Sequence, residues 1–278
     1  MNITAEMVKT LRENTGAGLM DCRKALTEAN GNMAEAEKIL KKMGLAAIAK
    51  RADRATDNGR VVVYSNGKAA CVVSVACETD FVARNEDFKK MCEKVAKTGA
   101  EKGFKVINDE LEAIVKDLIA VIKENMSIKK YIYIPLKDNE YIESYIHADG
   151  AIGVAVKFTA ADKNAFAFED VKTFMHDVAL HVAAFQPQYL TDKEIDDKYK
   201  AEQMEIFRSQ VATLDKPEKV KEGIIAGKMS KLAKEICLLN QGFIKDESNS
   251  VEKVMETVAK KVNTKLSISS YYCIKAGV

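Results

Sequence analysis

The chain has 278 residues, with 43 Lys and Arg against 41 Asp and Glu and a formal charge of +2, so no basic field marks it for nucleic acid or a membrane surface. That length exceeds one minimal core and suits two or three modest domains. No apolar run approaches a membrane span and the N-terminus enters a helical pattern at once, without the regions of a signal peptide, so a cytoplasmic protein is expected.

Six cysteines, Cys22, Cys71, Cys77, Cys92, Cys237 and Cys273, form no CxxC pair. Several fall on apolar faces, which fits reduced, structural thiols. With three prolines, fourteen glycines and no low-complexity segment, the whole chain is expected to fold.

Residues 1 to 50 read as three short helices. Thr4 caps the first, with Met7, Val8 and Leu11 on one face, until Gly16 and Gly18 break it. The second runs from about Met20 to Ala29, with Cys22, Ala25, Leu26 and Ala29 at helical spacing, and Asn30-Gly31 stops it. Asn32 then caps a third helix from Met33 to Met43, which Gly44 is expected to end. Leu19 and Met20 sit in a glycine-flanked turn, where both an outward docking pair and ordinary core positions fit.

Between residues 59 and 186 the sequence repeats itself at an offset of 83. Val63, Tyr64, Asn66 and Gly67 correspond to Ile146, His147, Asp149 and Gly150, so each copy has a strand entering an Asn-Gly or Asp-Gly hairpin turn. In the returning strands Ala69, Cys71, Val73 and Val75 match Ile152, Val154, Val156 and Phe158. The opposite parity is smaller or polar, as expected of strands covered on one face. A helix follows in each copy, with Phe88, Met91 and Val95 falling on Val171, Phe174 and Val178.

Leu111, Ile114, Leu118 and Ile122 mark an amphipathic helix between the copies, and Ile128 to Ile134 an alternating strand closed by Pro135. Beyond the second copy, Ile195, Tyr199, Ile206, Val211 and Leu214 point to one helix and Ile225, Met229, Leu232 and Ile236 to another. Asp215-Lys216-Pro217 joins them, and both an antiparallel hairpin projecting from the body and two ordinary surface helices fit. A last helix over about Val251 to Val262 and a strand from Leu266 to Ile274 are expected to return to the second sheet.

No enzyme site emerges from this pattern. His176 and His181 lie five apart, off the spacing that aligns metal ligands on a helix, and read as helix-face residues. Thr15-Gly16-Ala17-Gly18 lacks the preceding strand and the Lys-Ser or Lys-Thr pair of a phosphate-binding loop. No cofactor or metal is expected. His147 stands where the first copy has Tyr64 and fits a turn residue as well as a contact.

The most informative segment is Glu78-Thr79-Asp80-Phe81-Val82-Ala83-Arg84-Asn85, between a strand and a helix. On a purely structural reading Thr79 or Asp80 caps the helix and Phe81 tucks beneath it. Against that, Asp80 and Phe81 fall opposite Lys163 and Asn164 in the repeat, so the fold does not require an Asp-Phe pair at that joint.

At these residues the chain resembles the elongation factor Ts family over nearly its whole length. Thr15-Gly16-Ala17-Gly18-Leu19-Met20-Asp21-Cys22-Arg23-Lys24-Ala25-Leu26 is similar to the family's N-terminal signature, and Glu78-Thr79-Asp80-Phe81-Val82-Ala83 to a second. Glu124-Asn125-Met126-Ser127-Ile128-Lys129-Lys130, His181-Val182-Ala183-Ala184 and Lys216-Pro217-Glu218-Lys219 resemble family patterns in the expected order.

The resemblance implies an α+β protein in three parts. Residues 1–54 would form a ubiquitin-associated-like three-helix domain. Residues 55–140 would form the first core subdomain and 141–278 the second, each an antiparallel sheet with packed helices, and the helical hairpin would be inserted at about 190–237. It further implies a guanine nucleotide exchange factor that docks on the GTPase domain of elongation factor Tu, displaces its magnesium and lets GDP leave so that GTP can rebind. In that picture Thr79, Asp80, Phe81 and Val82 displace the magnesium, Phe81 as the wedge and Asp80 beside the disturbed ion, while Arg12, Leu19, Met20 and His147 touch the partner. The chain itself performs no covalent chemistry.

Two departures stand out. Leu19 replaces a Met common in the family and keeps the surface apolar, and the chain stops just after its last strand, so a contact made by a terminal helix in some members is expected to be missing. The alternative reading is an adaptor that binds proteins through the ubiquitin-associated-like domain, without exchange activity; it leaves Asp80-Phe81 without a role. The pattern specifies no homo-oligomer.

Overall fold

The computed structural model describes residues 3–49, 51 and 53–277. By contact density the chain divides into Met1–Pro135 with Ile146–Gly153 and Ile274–Val278, and Leu136–Tyr145 with Val154–Cys273.

The first unit opens with three helices, α1 (Ala5–Thr15), α2 (Leu19–Glu28) and α3 (Met33–Ala49). Thr4 Oγ1 accepts from the Met7 amide at 3.2 Å and starts α1. Gly16, at φ +66°, ends it with its own N–H on the Arg12 carbonyl. Asn32 Oδ1 accepts from the Glu35 amide and starts α3. Val8, Leu11, Cys22, Ala25, Leu26, Ala29 and Ala36 form a small common core.

Gly44 does not end α3, which continues to Ala49. A Cβ on Gly44 would lie 2.7 Å from the Cβ of Ala120, so this glycine marks a close helix crossing and not a stop. Gly44→Val should therefore push α3 off its neighbour and lower stability by about 1–3 kcal/mol through overpacking. Ala120→Gly in the same chain should recover part of the loss, read from thermal melts of the single and double variants.

The repeat predicted at an offset of 83 is present in three dimensions. Strands β1 (Asn58–Ser65) and β2 (Ala69–Cys77), the short helix α4 (Asp80–Ala83) and helix α5 (Glu86–Lys102) make the first copy. Helix α6 (Asp109–Ile122) and strand β3 (Met126–Pro135) complete it, giving an antiparallel sheet of order β1-β2-β3. The β2–β3 register slips between Ser74 and Val75, leaving Lys129 as the extra residue of a bulge.

The second copy begins with β4 (Glu140–His147) and β5 (Ile152–Ala160), passes a 3-10 turn at Lys163–Ala167 and continues as α7 (Glu169–Phe185). Both β5 and α7 start and end 83 residues after β2 and α5. Then come α8 (Asp197–Ala212), α9 (Glu218–Ile236), a two-strand ribbon of β6 (Gly242–Phe243) and β7 (Asp246–Ser250), α10 (Val251–Lys261) and β8 (Leu266–Lys275). The second sheet has the order β4-β5-β8. Ser267 Oγ donates to the Thr159 carbonyl and Ser269 Oγ to that of Lys157, the opposed numbering of an antiparallel pair.

Two expectations need correction. Every residue of β2 is buried, including Ala70, Val72, Ser74 and Ala76. The smaller parity therefore reflects close packing on a second covered face, not exposure to water. In α6 the deepest row is Leu111, Val115 and Ile119, while Ile114, Leu118 and Ile122 pack at its margin. The predicted stripe lay one position to the side, within the width of an apolar helix face.

Helices α8 and α9 lie side by side around the turn at residues 213–217, where Lys228 Nζ reaches Gln210 Oε1 at 2.8 Å and the Phe207 ring at 5.5 Å. All six cysteines are free thiols, five of them buried. His176 is exposed near Glu143, whereas His181 is fully buried against Phe185, its Nε2 2.8 Å from Gln241 Oε1. Burial holds His181 below the usual imidazole range, so it serves as a neutral core group. Among the described residues no helix is long and apolar enough to cross a membrane.

Candidate functional site

The segment from Glu78 to Asn85 is built as a single capped turn. Thr79, in extended conformation, accepts the Val82 amide on Oγ1 at 3.3 Å and starts α4. Val82, 7 % exposed, belongs to the core beside Phe88 and Cys92. Phe81 points the other way and is 81 % exposed. Asp80 is exposed too, with Arg84 one turn on at 3.3 Å. Thr79 caps the turn, as expected on structural grounds, but Phe81 does not tuck beneath it.

The second copy has the same device with different side chains. Asp162, the counterpart of Thr79, caps the 3-10 turn through the Asn164 amide at 3.0 Å, and Ala165, the counterpart of Val82, is buried. Asn164, opposite Phe81, is exposed and held by Asp162. The backbone thus sends this position outward in both copies, and only the first fills it with a large ring. A phenylalanine exposed to this degree gains nothing for the fold.

Leu19 and Met20 are the first residues of α2 and are 52 % and 71 % exposed. The outward arrangement is the one observed. Arg12 is exposed on α1, and His147 is exposed at the end of β4. The turn after His147 carries Asp149, whose carboxylate meets Arg60 at 2.7 Å and Lys89 at 3.4 Å. The hydrogen bond from Arg60 holds the Asp149 carboxyl below its ordinary range.

Three consecutive residues between α6 and β3 connect Leu19-Met20 with the Asp80-Phe81 turn. Lys123 Nζ pairs with Asp21, next to Met20. Glu124 takes the Thr79 amide on Oε2 at 3.1 Å and the Thr79 hydroxyl on Oε1 at 2.8 Å. The Asn125 amide donates to Glu78 Oε1 and its side chain to the Arg54 carbonyl, while Arg54 meets Glu78 at 3.2 Å. Lys123 itself ends α6 in left-handed conformation, at φ +67°. In the sequence Glu124 and Asn125 stand only within a family pattern, with no feature that gives them this task.

No group of three or more His, Cys, Asp or Glu among the described residues could hold a metal ion. Cys77, the thiol nearest the site, donates to the Thr79 carbonyl at 3.3 Å. Burial, reinforced by the Glu124 carboxylate, pushes its pKa up to about 12, which leaves it a poor nucleophile at neutral pH. The exposed features are apolar side chains and a carboxylate, a surface suited to another macromolecule more than to a small substrate.

A profile of the family described as "Elongation factor TS" matches residues 78–277. Curated relatives called "Elongation factor Ts" align over the whole chain. That of Treponema denticola is 44 % identical over 278 residues, all of this chain and 99 % of its own length. That of Borrelia recurrentis is 40 % identical over the full length of both, and that of Clostridium acetobutylicum is 37 % identical over 99 % of this chain and 92 % of its own. These matches define a translation elongation factor. The chain belongs to the elongation factor Ts family.

Proposed function

We propose that this protein is a guanine nucleotide exchange factor for the translation GTPase elongation factor Tu, docking on its GTPase domain and promoting GDP release by displacing magnesium. The observation that carries the reading is Phe81, exposed on a rigidly capped turn, beside an exposed carboxylate, in the only copy of the repeat that has a ring there. Phe81 acts as the wedge, Thr79 and Val82 hold it, and Asp80 stands next to the displaced ion. Leu19, Met20, Arg12 and His147 are the docking contacts. The division into a helical domain at 1–54 and core subdomains at 55–140 and 141–278 belongs to the same proposal, as does a cytoplasmic location.

The physics of such a reaction needs no covalent step. A magnesium ion held beside the partner's bound GDP would neutralise much of the phosphate charge, so displacing it would weaken GDP binding directly. Coupling is reciprocal: a factor that lowers GDP affinity is itself bound less tightly when nucleotide is present, so incoming nucleotide ejects it and the cycle turns over. The test is release of fluorescent GDP from purified elongation factor Tu. Substoichiometric protein should accelerate release, and excess magnesium should oppose it. Absence of any acceleration at micromolar protein would overturn the proposal.

A further inference from the structure

We infer that Glu124 is a positioning residue for exchange, holding the Phe81 turn through Thr79 while its neighbour Lys123 holds the Leu19-Met20 end of α2. The inference rests on the exchange reading and adds to it the group that sets the pose of the wedge.

Thr79 has no freedom left at its polar atoms. Its amide and hydroxyl both donate to Glu124, its hydroxyl accepts from Val82, and its carbonyl accepts from Cys77 Sγ and, at 3.2 Å, from the Ala83 amide. Two of these bonds are made within α4 itself, but a helix of four residues is too short to be stable on its own hydrogen bonds. The bidentate carboxylate is charge-assisted on both donors and is the strongest tie in the set. It comes from a residue 45 positions away, so it fixes the turn to the body and not merely to itself.

The adjoining Lys123–Asp21 pair spans 102 positions. Within one backbone joint, then, consecutive side chains grip the segment that carries Met20 and the one that carries Phe81. An anchor contributes binding energy only if it is presented in the bound pose, since ordering it at the moment of contact costs part of the gain. On this account Glu124 lowers that cost without touching the partner.

Glu124→Gln removes the charge from both bonds. Its one oxygen can still take the Thr79 amide, but its NH2 can meet the Thr79 hydroxyl only if that hydroxyl gives up its donor role. The substitution should slow stimulated GDP release from elongation factor Tu roughly tenfold, equivalent to about 1.4 kcal/mol. In a Phe81→Ala background the same substitution should change the rate less than twofold, because there is no ring left to position. Amide hydrogen exchange of the factor alone should show faster exchange at Val82 and Ala83 in Glu124→Gln. Thr79→Val, which loses the hydroxyl but keeps the amide bond to Glu124, should follow Glu124→Gln.

An equal loss of rate with and without Phe81 would overturn the inference, as would unchanged protection at Val82 and Ala83. These outcomes are separable from failure of the exchange reading, which would show as a wild-type factor that releases no GDP whatever its amide protection. If Glu124→Gln does not fold, Thr79→Val, alone and combined with Phe81→Ala, carries the same comparison.

Discussion

Phe81→Ala should slow stimulated GDP release roughly 30-fold or more at subsaturating factor while leaving the melting temperature almost unchanged. The ring is 81 % exposed, so the fold loses little when it goes, whereas an aromatic anchor entering a partner's pocket contributes on the order of 2–4 kcal/mol. Asn164→Ala, at the matching joint of the second copy, should leave release as it is. Asp80→Ala should reduce release but preserve much of the binding to nucleotide-free partner. Stopped-flow release of labelled GDP beside thermal melts decides the matter. A sharp fall in melting temperature, with the folded fraction still exchanging at the wild-type rate, would show that the ring belongs to the core.

Phe88→Ala should give the opposite result. Phe88 follows Phe81 by seven residues and is fully buried at the start of α5, among Val73, Val75, Val95 and Met91. Truncating a phenylalanine in such a site costs about 3–5 kcal/mol, part lost transfer and part cavity. For a unit of this size that is a fall of roughly 10 °C or more in melting temperature. Exchange per folded molecule should stay within about twofold, since the ring touches only the interior. Should Phe88→Ala melt like wild type, the core assignment of α5 is wrong.

These two rings also mark where sequence was informative. Phe88 could be placed because Met91 and Val95 share its face and Val171 repeats it 83 residues later, so periodicity and the repeat agree. Phe81 could not be settled by periodicity, because a four-residue helix holds too little pattern to show which side is buried. What pointed outward was the comparison with Asn164, which the capped turn at Asp162 now explains.

Other features left no local trace. Gly44 looks like a helix stop unless one knows that Ala120 crosses it. Residues 246–250, all polar or charged, carry no alternation to announce β7. Nothing local in the sequence marks Glu124 and Lys123, and their partners Thr79 and Asp21 are distant in sequence, so pairwise contacts of this kind emerge only from the fold.

The two copies complete their sheets over different lengths of chain. About 50 residues separate β2 from β3, and roughly twice as many separate β5 from β8, because the α8–α9 hairpin lies in between. Loop-closure entropy grows only logarithmically, so this doubling costs the second sheet about 0.6 kcal/mol. A pair of helices can thus be carried within the second copy at almost no thermodynamic penalty. Its length is free to vary with whatever the hairpin reaches for, while the sheet beneath it stays the same.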